Sequence, residues 1–463
     1  MEFKDKKITV VGMGRSGMAA VRVLHQLGAA VTANDSKTAE MIDQDWLQYL
    51  EKEEIAAEFG CVPSLEGTEM LVLSPGVPTS LPFVEEAQQK GIEIVGEMEL
   101  AYRLAAPGSV FLGITGTNGK TTTTSLVGEI VKAAGKTTRV VGNIGLPAIE
   151  ETAGAEEGTW FVTEVSSFQL ETIRDFKPLV GALLNVTPDH LDRHKTFENY
   201  ASVKGRIFEN QDRSCYAVVN FDDKVALRES TRTDATVVPF SRLEEMKFGA
   251  CVKNDRIVVI DSEEHDHDIC GVDELQIPGT HNLENALAAA AITYFAGIDP
   301  AVIGDAMRSF GGVEHRIEPC GTIKGVRYFN DSKGTNPDAA IKAIEAMKGE
   351  TVIIAGGYDK GADYAEFISA FAGKVYYAVL IGSTAVKIKG QAEEQGFTNT
   401  ILVENMEQAV AEAARVAKPG DNVLLSPACA SWDMYKSYEE RGRHFKACVA
   451  ALQDEEDKKD TAE

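Results

Sequence analysis

The sequence of 463 residues is too long for a single hydrophobic core, and its length predicts about three domains. With 44% hydrophobic and 25% charged residues, its composition is typical of a globular protein in water. A formal net charge of −25 argues against a nucleic-acid-binding surface, although a local basic pocket is still compatible with it. Seven scattered cysteines without a C-x-x-C pair favour reduced thiols and therefore a cytoplasmic protein.

The chain opens with MEFKDKKITVVG, which runs directly into an apolar strand and leaves no room for a signal peptide. The longest apolar stretch, residues 286–298, is shorter than the roughly 18 residues that a membrane span needs and predicts a buried helix. We therefore expect neither a membrane span nor a membrane partner. The acidic C-terminal residues 453–463 predict a frayed, solvated tail.

The first hundred residues alternate β-branched strands with helical segments, which predicts a parallel sheet covered on both faces. The first strand leads into Gly12, Gly14 and Gly17, which spell the G-x-G-x-x-G fingerprint of dinucleotide-binding domains. Asp35 follows at about the spacing of the carboxylate that binds a ribose. By this pattern alone, an NAD-dependent dehydrogenase is a fair hypothesis.

A second segment, VFLGITGTNGKTTTTSLVGEIV, has the order strand, glycine loop and helix that is typical of nucleoside triphosphate sites. The ammonium of Lys120 would contact the β and γ phosphates, and the hydroxyl of Thr121 would ligate Mg²⁺. The match to G-x-x-x-x-G-K-[ST] is imperfect, because Ile114 stands where the first glycine is expected. The predicted ATP-binding residues of the loop are Gly116, Thr117, Asn118, Gly119, Lys120, Thr121 and Thr122.

Two later strands end in residues that can bind a metal ion. Glu164 ends the apolar strand of FVTEVSS, and His190 follows the strand of LLNVTPDH. Because the ends of neighbouring parallel strands meet at one edge of a sheet, both side chains can face phosphates on the glycine loop. One carboxylate together with phosphates and waters is the usual environment of Mg²⁺.

The remaining pattern completes the predicted domain organisation. Residues 215–275 alternate short β segments with polar turns and predict a small appended sheet, and Gly311 and Gly312 predict a hinge. The predicted fold class is α/β with three domains. These are a Rossmann-like domain at residues 1–98, a P-loop ATPase-like domain at 99–312, and a Rossmann-like domain at 313–463 that includes the acidic tail 453–463.

The spelling T-G-T-N-G-K-T-T resembles the loop of the Mur ligases, ATP-dependent amide ligases that build the peptide of the peptidoglycan precursor. The resemblance extends over the whole chain and implies ATP and Mg²⁺ as cofactors, with two ions expected. It implies that the metal is bound at Thr121, Glu164, His190 and Lys204. Lys204 aligns with a lysine that the family carries as a carbamate, an adduct that converts a cation into a carboxylate.

In the third domain, NDSKGTN and SPACAS resemble the members of the family that add D-glutamate. The resemblance implies ATP contacts at Asn285, His315, Arg316 and Asp331, and a further catalytic cation at Lys333. It implies that D-glutamate is held by Thr335, Lys360, Ser431 and Tyr438. Members of the family often have an acidic residue directly after the Gly-Gly pair. This chain departs from that pattern, because Tyr358 stands there and Asp359 comes next, so either Asp359 or Lys360 could face the substrate.

The resemblance also reassigns the G-x-G-x-x-G fingerprint, because the chain has no evident site for hydride transfer. In the family the first domain binds the UDP part of UDP-N-acetylmuramoyl-L-alanine, and the same backbone geometry suits that pyrophosphate. The positions that the resemblance assigns to this substrate are Arg15, Ser16, Asp35, Ser36, Lys37, Ser74, Gly76 and Asn143.

The implied function is ADP-forming ligation of D-glutamate to UDP-N-acetylmuramoyl-L-alanine through an acyl phosphate. It implies a cytoplasmic monomer that acts on small molecules in peptidoglycan synthesis, and hence in cell shape and division. Alternatives are a ligase for another amino acid, a folylpolyglutamate-type ligase, a P-loop switch without ligase activity and the dehydrogenase. The predicted catalytic residues are Lys120, His190, Lys204, Arg316 and Lys333. The third domain is expected to rotate about residues 311–314 when nucleotide binds.

Overall fold

The computed structural model describes residues 3–277, 279–359 and 361–460, with side chains except at 455 and 457–460. The chain divides into two compact units. The first extends to Phe310 and the second begins at Gly311, with Ile277 and Gly279 also belonging to the second. The division coincides with the glycine pair that predicts a hinge, and at Gly312 the backbone has a φ of +102°. No helix in the described part of the chain is long and apolar enough to cross a bilayer.

The N-terminal part of the first unit is a five-stranded sheet with helices on its faces. Its elements are β1 (Lys7–Val11), α1 (Arg15–Gln26), β2 (Ala30–Asp35), α2 (Gln44–Lys52), β3 (Ala56–Phe59), β4 (Met70–Leu73), α3 (Pro82–Gln89), β5 (Glu93–Gly96) and α4 (Glu97–Leu104). All strands are parallel, in the order β3-β2-β1-β4-β5, which confirms the predicted parallel sheet. The alanine, valine and leucine side chains on one face of α1 pack into the core beside β1.

A nine-stranded sheet forms the rest of the first unit. Its strands are β6 (Val110–Thr115), β7 (Thr138–Gly142), β8 (Trp160–Glu164), β9 (Val180–Leu183), β10 (Tyr216–Asn220), β11 (Thr236–Ser241), β12 (Gly249–Lys253), β13 (Arg256–Ile260) and β14 (Asp266–Gly271). Its helices are α5 (Lys120–Ala133), α6 (Ala148–Thr152), α7 (Ser167–Leu170), α8 (Leu191–His194), α9 (Phe197–Gly205), α10 (Lys224–Glu229), α11 (Thr280–Phe295) and α12 (Pro300–Ser309).

The strand order of this sheet is β14-β13-β12-β11-β10-β9-β6-β8-β7. Only β12, β13 and β14 pair antiparallel, and the strands from β7 to β12 pair parallel. The prediction that residues 215–275 form a small appended sheet is therefore wrong, because β10 pairs directly with β9 and the segment extends the main sheet. Helix α11 contains the alanine-rich stretch, and its central residues are buried as predicted.

The second unit is a six-stranded sheet flanked by helices. Its elements are β15 (Glu318–Ile323), β16 (Val326–Asn330), α13 (Pro337–Ala346), β17 (Thr351–Ala355), α14 (Ala365–Ser369), β18 (Val375–Leu380), α15 (Ala385–Glu394), β19 (Thr400–Leu402), α16 (Met406–Val416), β20 (Asn422–Leu425) and α17 (Tyr438–Asp460). The order is β15-β16-β20-β17-β18-β19, and only the edge strand β15 is antiparallel to its neighbour.

The C-terminal segment differs from the prediction of a frayed tail. Helix α17 continues to Asp460, and residues 461–463 of the predicted tail lie outside the described residues. Glutamate and lysine are good helix formers, and Glu456 forms an ion pair with Lys324 of the same unit. Both effects favour a helix where the composition alone predicts a solvated chain.

The glycine fingerprint provides a test of how α1 packs against the loop that follows β1. A Cβ atom at Gly17 would lie 1.8 Å from the carbonyl oxygen of Gly12, whereas a Cβ at Gly14 meets nothing within 4 Å. We expect Gly17→Ala to lower the free energy of unfolding by roughly 3 kcal/mol or more, since backbone must move to admit the methyl group. The matched control Gly14→Ala should stay within about 0.5 kcal/mol of the wild type. Urea unfolding measures both, and equal stabilities of the two variants would contradict this packing.

Candidate active site

A cavity of about 970 Å³ lies at the carboxyl ends of β1, β2 and β4. Ligand sites in α/β proteins lie at this edge of the sheet, and the volume suits a ligand of cofactor size. All the residues that the resemblance assigns to the UDP-linked substrate line this cavity, namely Arg15, Ser16, Asp35, Ser36, Lys37, Ser74, Gly76 and Asn143. The structure therefore brings this predicted set together in one place.

Two of these residues hold the glycine loop in shape. The carboxylate of Asp35 accepts hydrogen bonds from the backbone amides of Met13 (2.6 Å) and Lys37 (2.9 Å). The hydroxyl of Ser74 donates to the carbonyl of Gly12 at 2.6 Å. Both side chains are buried, so the loop that faces the cavity is fixed from two neighbouring strands before any ligand binds.

The wall of the cavity also includes the turn that follows β7 in the second sheet. Arg15 donates from its guanidinium to the carbonyl of Gly145 at 2.6 Å. Asn143 donates from its side-chain amide to Glu164 Oε1 at 2.7 Å. Asn143 thus touches both the cavity and the strand-end carboxylate that the sequence singles out as a metal ligand.

The glycine-lysine loop connects β6 to α5, which begins at Lys120, so the predicted order of strand, loop and helix is confirmed. The ammonium of Lys120 donates to the carbonyl oxygens of Gly116 (2.9 Å) and Thr117 (2.8 Å). Gly119 has a φ of +83°, and a Cβ there would lie 2.2 Å from Asn285 Oδ1. Asn285 is therefore placed directly against the loop, where the resemblance predicts it. Thr121 and Thr122 are buried in the first turn of α5.

The sequence analysis missed Asn185, which follows β9. Its side chain accepts from the backbone amide of Asn118 (2.8 Å) and donates to the Asn118 carbonyl (3.0 Å). Its backbone carbonyl also accepts from the amide of Thr117 at 3.0 Å. Asn185 lies within the quoted stretch LLNVTPDH, but only the pairing of β9 with β6 shows that it fixes the loop.

Of the predicted metal ligands outside α5, Lys204 contacts the same loop. Glu164 is buried, and its Oε2 has no hydrogen-bond partner among the described residues. Lys204 is buried, donates to the Gly116 carbonyl at 2.8 Å and lies 4.8 Å from the centre of the Tyr200 ring. His190 is exposed, with its ring 4.9 Å from that of Phe168.

The donor atoms of the described residues do not by themselves make a closed metal site. In that part of the chain, no three histidine, cysteine or carboxylate side chains are close enough to hold a metal ion. The unpartnered, buried oxygen of Glu164 nevertheless fits one cation, since Mg²⁺ commonly takes one or two carboxylates and completes its shell with phosphates and waters. The residues present therefore fit a metal that is bound together with a nucleotide.

Burial lowers the pKa of Lys204 well below its ordinary value, and the neighbouring charge of Lys120 lowers it further. An uncharged amine is the form that reacts as a nucleophile, and burial is the usual way to produce one at neutral pH. The environment of Lys204 is thus unlike that of a solvated surface lysine.

In the second unit, the predicted residues gather at the carboxyl ends of β16 and β20, which are adjacent and parallel. Asp331 is buried, with its carboxylate accepting from Ser426 Oγ (2.7 Å) and the amide of Ile317 (3.3 Å). Burial raises the pKa of Asp331 to about 7, although Ser426 and the nearby Arg316 lower it. The positive charge of Arg316 therefore acts on the Asp331 carboxylate.

His315 and Lys333 belong to the same group of side chains. The carbonyl of His315 accepts from the amide of Lys333 at 3.0 Å, and Asn330 Nδ2 lies 2.9 Å from His315 Nδ1. The Lys333 ammonium lies 5.9 Å from the centre of the Tyr438 ring, and the His315 and Tyr438 rings are 6.1 Å apart. The structure thus brings predicted ATP contacts and a predicted glutamate contact together.

The remaining predicted contacts for D-glutamate are only partly described. Thr335 donates from its amide to the carbonyl of Lys333 at 2.8 Å, and Ser431 is buried. Lys360 lies outside the described residues. Asp359 accepts from the amide of Gly361 at 2.8 Å and pairs with Lys387 at 3.3 Å, so its carboxylate has partners already.

Arg441, which the sequence analysis missed, organises this end of the second unit. The buried guanidinium donates to the hydroxyl and carbonyl of Ser332 and to the carbonyls of Cys429 and Ala430. It therefore ties the loop after β16 to the loop after β20. An arginine in the first turn of a helix carries no periodic signal of such a role, and only the pairing of the two strands reveals it.

The chain matches three known domains that cover most of its length. Residues 6–96 match the Mur ligase MurD-like N-terminal domain, residues 114–293 the Mur ligase middle domain, and residues 315–429 the Mur ligase glutamate ligase domain. A relative from Thermoanaerobacter pseudethanolicus is 50% identical over 457 residues, covering 98% of this chain and 100% of the relative. The chain belongs to the Mur ligase family.

That relative is named UDP-N-acetylmuramoylalanine–D-glutamate ligase, as is one from Alkaliphilus oremlandii, 49% identical over 98% of this chain and 100% of its own. Solved structures share the fold of this Mur ligase. UDP-N-acetylmuramate–alanine ligase from Thermotoga maritima has a TM-score of 0.58 at 20% identity, covering 96% of this chain and 99% of that one. A pseudomurein peptide ligase type C from Methanothermus fervidus has a TM-score of 0.55 at 19% identity, covering 96% and 100%.

The raised pKa of Asp331 makes the stability of this Mur ligase depend on pH. The pKa of this carboxyl is near 4 in the unfolded chain and about 7 in the folded protein. At pH values between these two, the folded state binds more protons at Asp331 than the unfolded state does. The contribution of Asp331 to the free energy of unfolding should therefore fall as pH rises from about 4 to 7, by on the order of 4 kcal/mol.

Urea unfolding at several pH values tests this expectation. Asp331→Asn removes the ionisation, so the difference in unfolding free energy between wild type and variant should change across that window and level off above it. The control Asp338→Asn changes an exposed carboxylate of the same unit and should leave the wild-type slope intact. A pH-independent difference for Asp331→Asn would contradict the assignment.

Proposed function

We propose that this Mur ligase joins D-glutamate to UDP-N-acetylmuramoyl-L-alanine with conversion of ATP to ADP and phosphate, in peptidoglycan precursor synthesis. The observation that carries the proposal is the Asn143–Glu164 contact. It makes the wall of the large cavity continuous with the carboxylate beside the phosphate loop, so a nucleotide-linked acid in the cavity can present its carboxylate to the γ-phosphate. The names of relatives about half identical to this chain support D-glutamate as the amino acid.

The proposed reaction consists of two displacements. The alanine carboxylate oxygen attacks the γ-phosphorus, the bond to the β-phosphate oxygen breaks, and ADP leaves. The amine of D-glutamate then attacks the acyl carbon, loses a proton and expels phosphate as the amide forms. Little covalent help from the protein is needed, so positioning and charge neutralisation should supply most of the rate enhancement.

The phosphates of ATP would lie on the backbone amides of residues 116–122, with Lys120 neutralising their charge. This requires the Lys120 ammonium to exchange its contacts with the Gly116 and Thr117 carbonyls for phosphate oxygens. The helix N-terminus at Lys120 favours an anion at the same point. Asn285, pressed against Gly119, would position the loop and contact the nucleotide.

Mg²⁺ would be held by Thr121 and Glu164, and a second ion by His190 and a carbamate on Lys204. When bound, Mg²⁺ neutralises phosphate charge and orients the phosphate oxygens. The lowered pKa of Lys204 supports the carbamate, because only the uncharged amine can add CO₂. The unpartnered oxygen of Glu164 supports a cation at the first position.

The second unit would supply the remaining groups. His315, Arg316 and Asp331 would contact ATP, with Arg316 and Lys333 stabilising negative charge during phosphoryl transfer. Thr335, Lys360, Ser431 and Tyr438 would hold the carboxylates of D-glutamate. We further propose domains at residues 1–98, 99–312 and 313–463, and a monomer that works in the cytoplasm.

Phosphate release tests the function directly. With ATP, Mg²⁺ and UDP-N-acetylmuramoyl-L-alanine present, D-glutamate should support release at least 100-fold faster than L-glutamate, L-alanine or diaminopimelate. The fold-change reflects buried polar groups that a wrong amino acid leaves unpaired. Omission of any one substrate is the control. Comparable rates with another amino acid, or release that needs no acceptor, would contradict the proposal.

The proposed carbamate gives a second test. Lys204→Ala should lower kcat at least about 100-fold, because it removes the carboxylate that the adduct presents to the metal. Short carboxylic acids at high concentration should restore part of the activity, whereas they should not help the control Lys120→Ala, whose lost group is a cation. Wild-type turnover by Lys204→Ala, or rescue of both variants alike, would rule out the carbamate.

A further inference from the structure

Arg193 connects the large cavity of the first unit to the segment that carries His190. Its guanidinium donates to the carbonyls of Val77 (2.9 Å) and Gly76 (3.5 Å), and both of those residues line the cavity. The same guanidinium donates to both oxygens of Glu171, at 3.2 Å and 2.6 Å. One partly buried side chain therefore joins a turn of the first sheet to the segment after β8.

The contacts continue from Glu171 towards the phosphate loop. Glu171 Oε1 lies 3.4 Å from His194 Nδ1, and His194 Nε2 lies 3.0 Å from Ser167 Oγ. His194 and Ser167 are both buried, and Ser167 stands three positions after Glu164. The ring of His194 packs 5.2 Å from that of Tyr200, whose hydroxyl lies 3.2 Å from Thr117 Oγ1. An unbroken series of polar and packing contacts thus leads from the cavity to the loop.

The backbone around Arg193 is held in an uncommon shape. Helix α8 is a single turn, and the residues that flank it have positive φ values, 51° at His190 and 70° at Lys195. Non-glycine residues keep such angles only where surrounding contacts fix them. Arg193 lies within α8, and its guanidinium packs 5.1 Å above the ring of Phe168, which also lies 4.9 Å from the ring of His190. Arg193 and His190 thus adjoin the same helical turn and share an aromatic neighbour.

We propose that Arg193 is a positioning residue that couples occupancy of the cavity to the arrangement of the phosphate site. A ligand that orders the Gly76–Val77 turn would also fix Arg193, and through α8 it would fix His190. Conversely, a nucleotide that orders the His190 segment would prepare the turn for the sugar nucleotide. The inference rests on the proposed function, which supplies the two ligands.

A comparable contact elsewhere provides a matched control. Arg22 on α1 pairs with Glu150 on α6 at 2.6 Å and lies over the rings of Trp46 and Tyr49. This ion pair also joins the first sheet to the second. Arg22 does not line the cavity, and among the described residues its guanidinium contacts are with Glu150, Trp46 and Tyr49. Loss of Arg22 therefore loosens the same boundary without touching the proposed connection.

The experiment is calorimetric titration of UDP-N-acetylmuramoyl-L-alanine, with and without saturating Mg²⁺ and a non-hydrolysable ATP analogue. In the wild type, the nucleotide should tighten binding of the sugar nucleotide at least about fivefold. In Arg193→Gln this ratio should fall to nearly one, and kcat should drop roughly tenfold. Arg22→Gln should keep the wild-type ratio and kcat.

Circular dichroism shows whether Arg193→Gln is folded. If it is not, Arg193→Lys provides the test in its place. A lysine keeps the charge but cannot reach both the carboxylate and the two carbonyls, so the ratio should still fall by at least half. A wild-type ratio in folded Arg193→Gln or Arg193→Lys would overturn the inference, as would an equal loss in Arg22→Gln or no coupling in the wild type. If the wild type bound neither ligand, the proposed function itself would fail, and the inference with it.

Discussion

Two lysine side chains donate to one backbone oxygen, and the first unit is built around that fact. The carbonyl of Gly116 accepts from Lys120 at 2.9 Å and from Lys204 at 2.8 Å. Like charges this close disfavour each other, and burial adds to the cost for Lys204. Loss of the charge on one amine removes the repulsion, and an anion bound nearby offsets it. With the pKa of Lys204 lowered by its burial, Lys120 is the amine that keeps its charge beside the loop.

Both units place a desolvated carboxylate where a strand ends. Glu164 closes β8 and accepts from Asn143, and Asp331 follows β16 and accepts from Ser426. Each is positioned by neighbours on adjacent parallel strands, because such strands deliver their ends to one edge of the sheet. The sheet itself thus fixes the position of each carboxylate.

Features that depend on a short stretch of sequence, such as strand ends and glycine turns, could be predicted. Contacts that form only after distant strands pair could not. Strand–helix alternation predicted the sheets, and the segment around TGTNGKTT predicted a strand, a glycine loop and a helix in that order. Nothing local showed that Asn185 or Arg441 fixes a loop, since each acts on a segment that only the sheet brings near. The same limit explains the wrong prediction for β10–β14. Their polar turns suggest a small appended sheet, and only the pairing of β10 with β9 shows that these strands extend the main sheet.

The G-x-G-x-x-G fingerprint shows why a motif can be read correctly and still mislead about function. Gly17 is required because the carbonyl of Gly12 occupies the place of its side chain, and Gly12 in turn is held by Ser74. Asp35, the supposed ribose ligand, accepts from the amides of Met13 and Lys37. These contacts fix the packing of α1 against β1 and the shape of the loop between them, which is the backbone geometry that suits a pyrophosphate. They contain no information about the rest of the ligand, because the cavity is also lined by residues outside the fingerprint, among them Asn143 after β7.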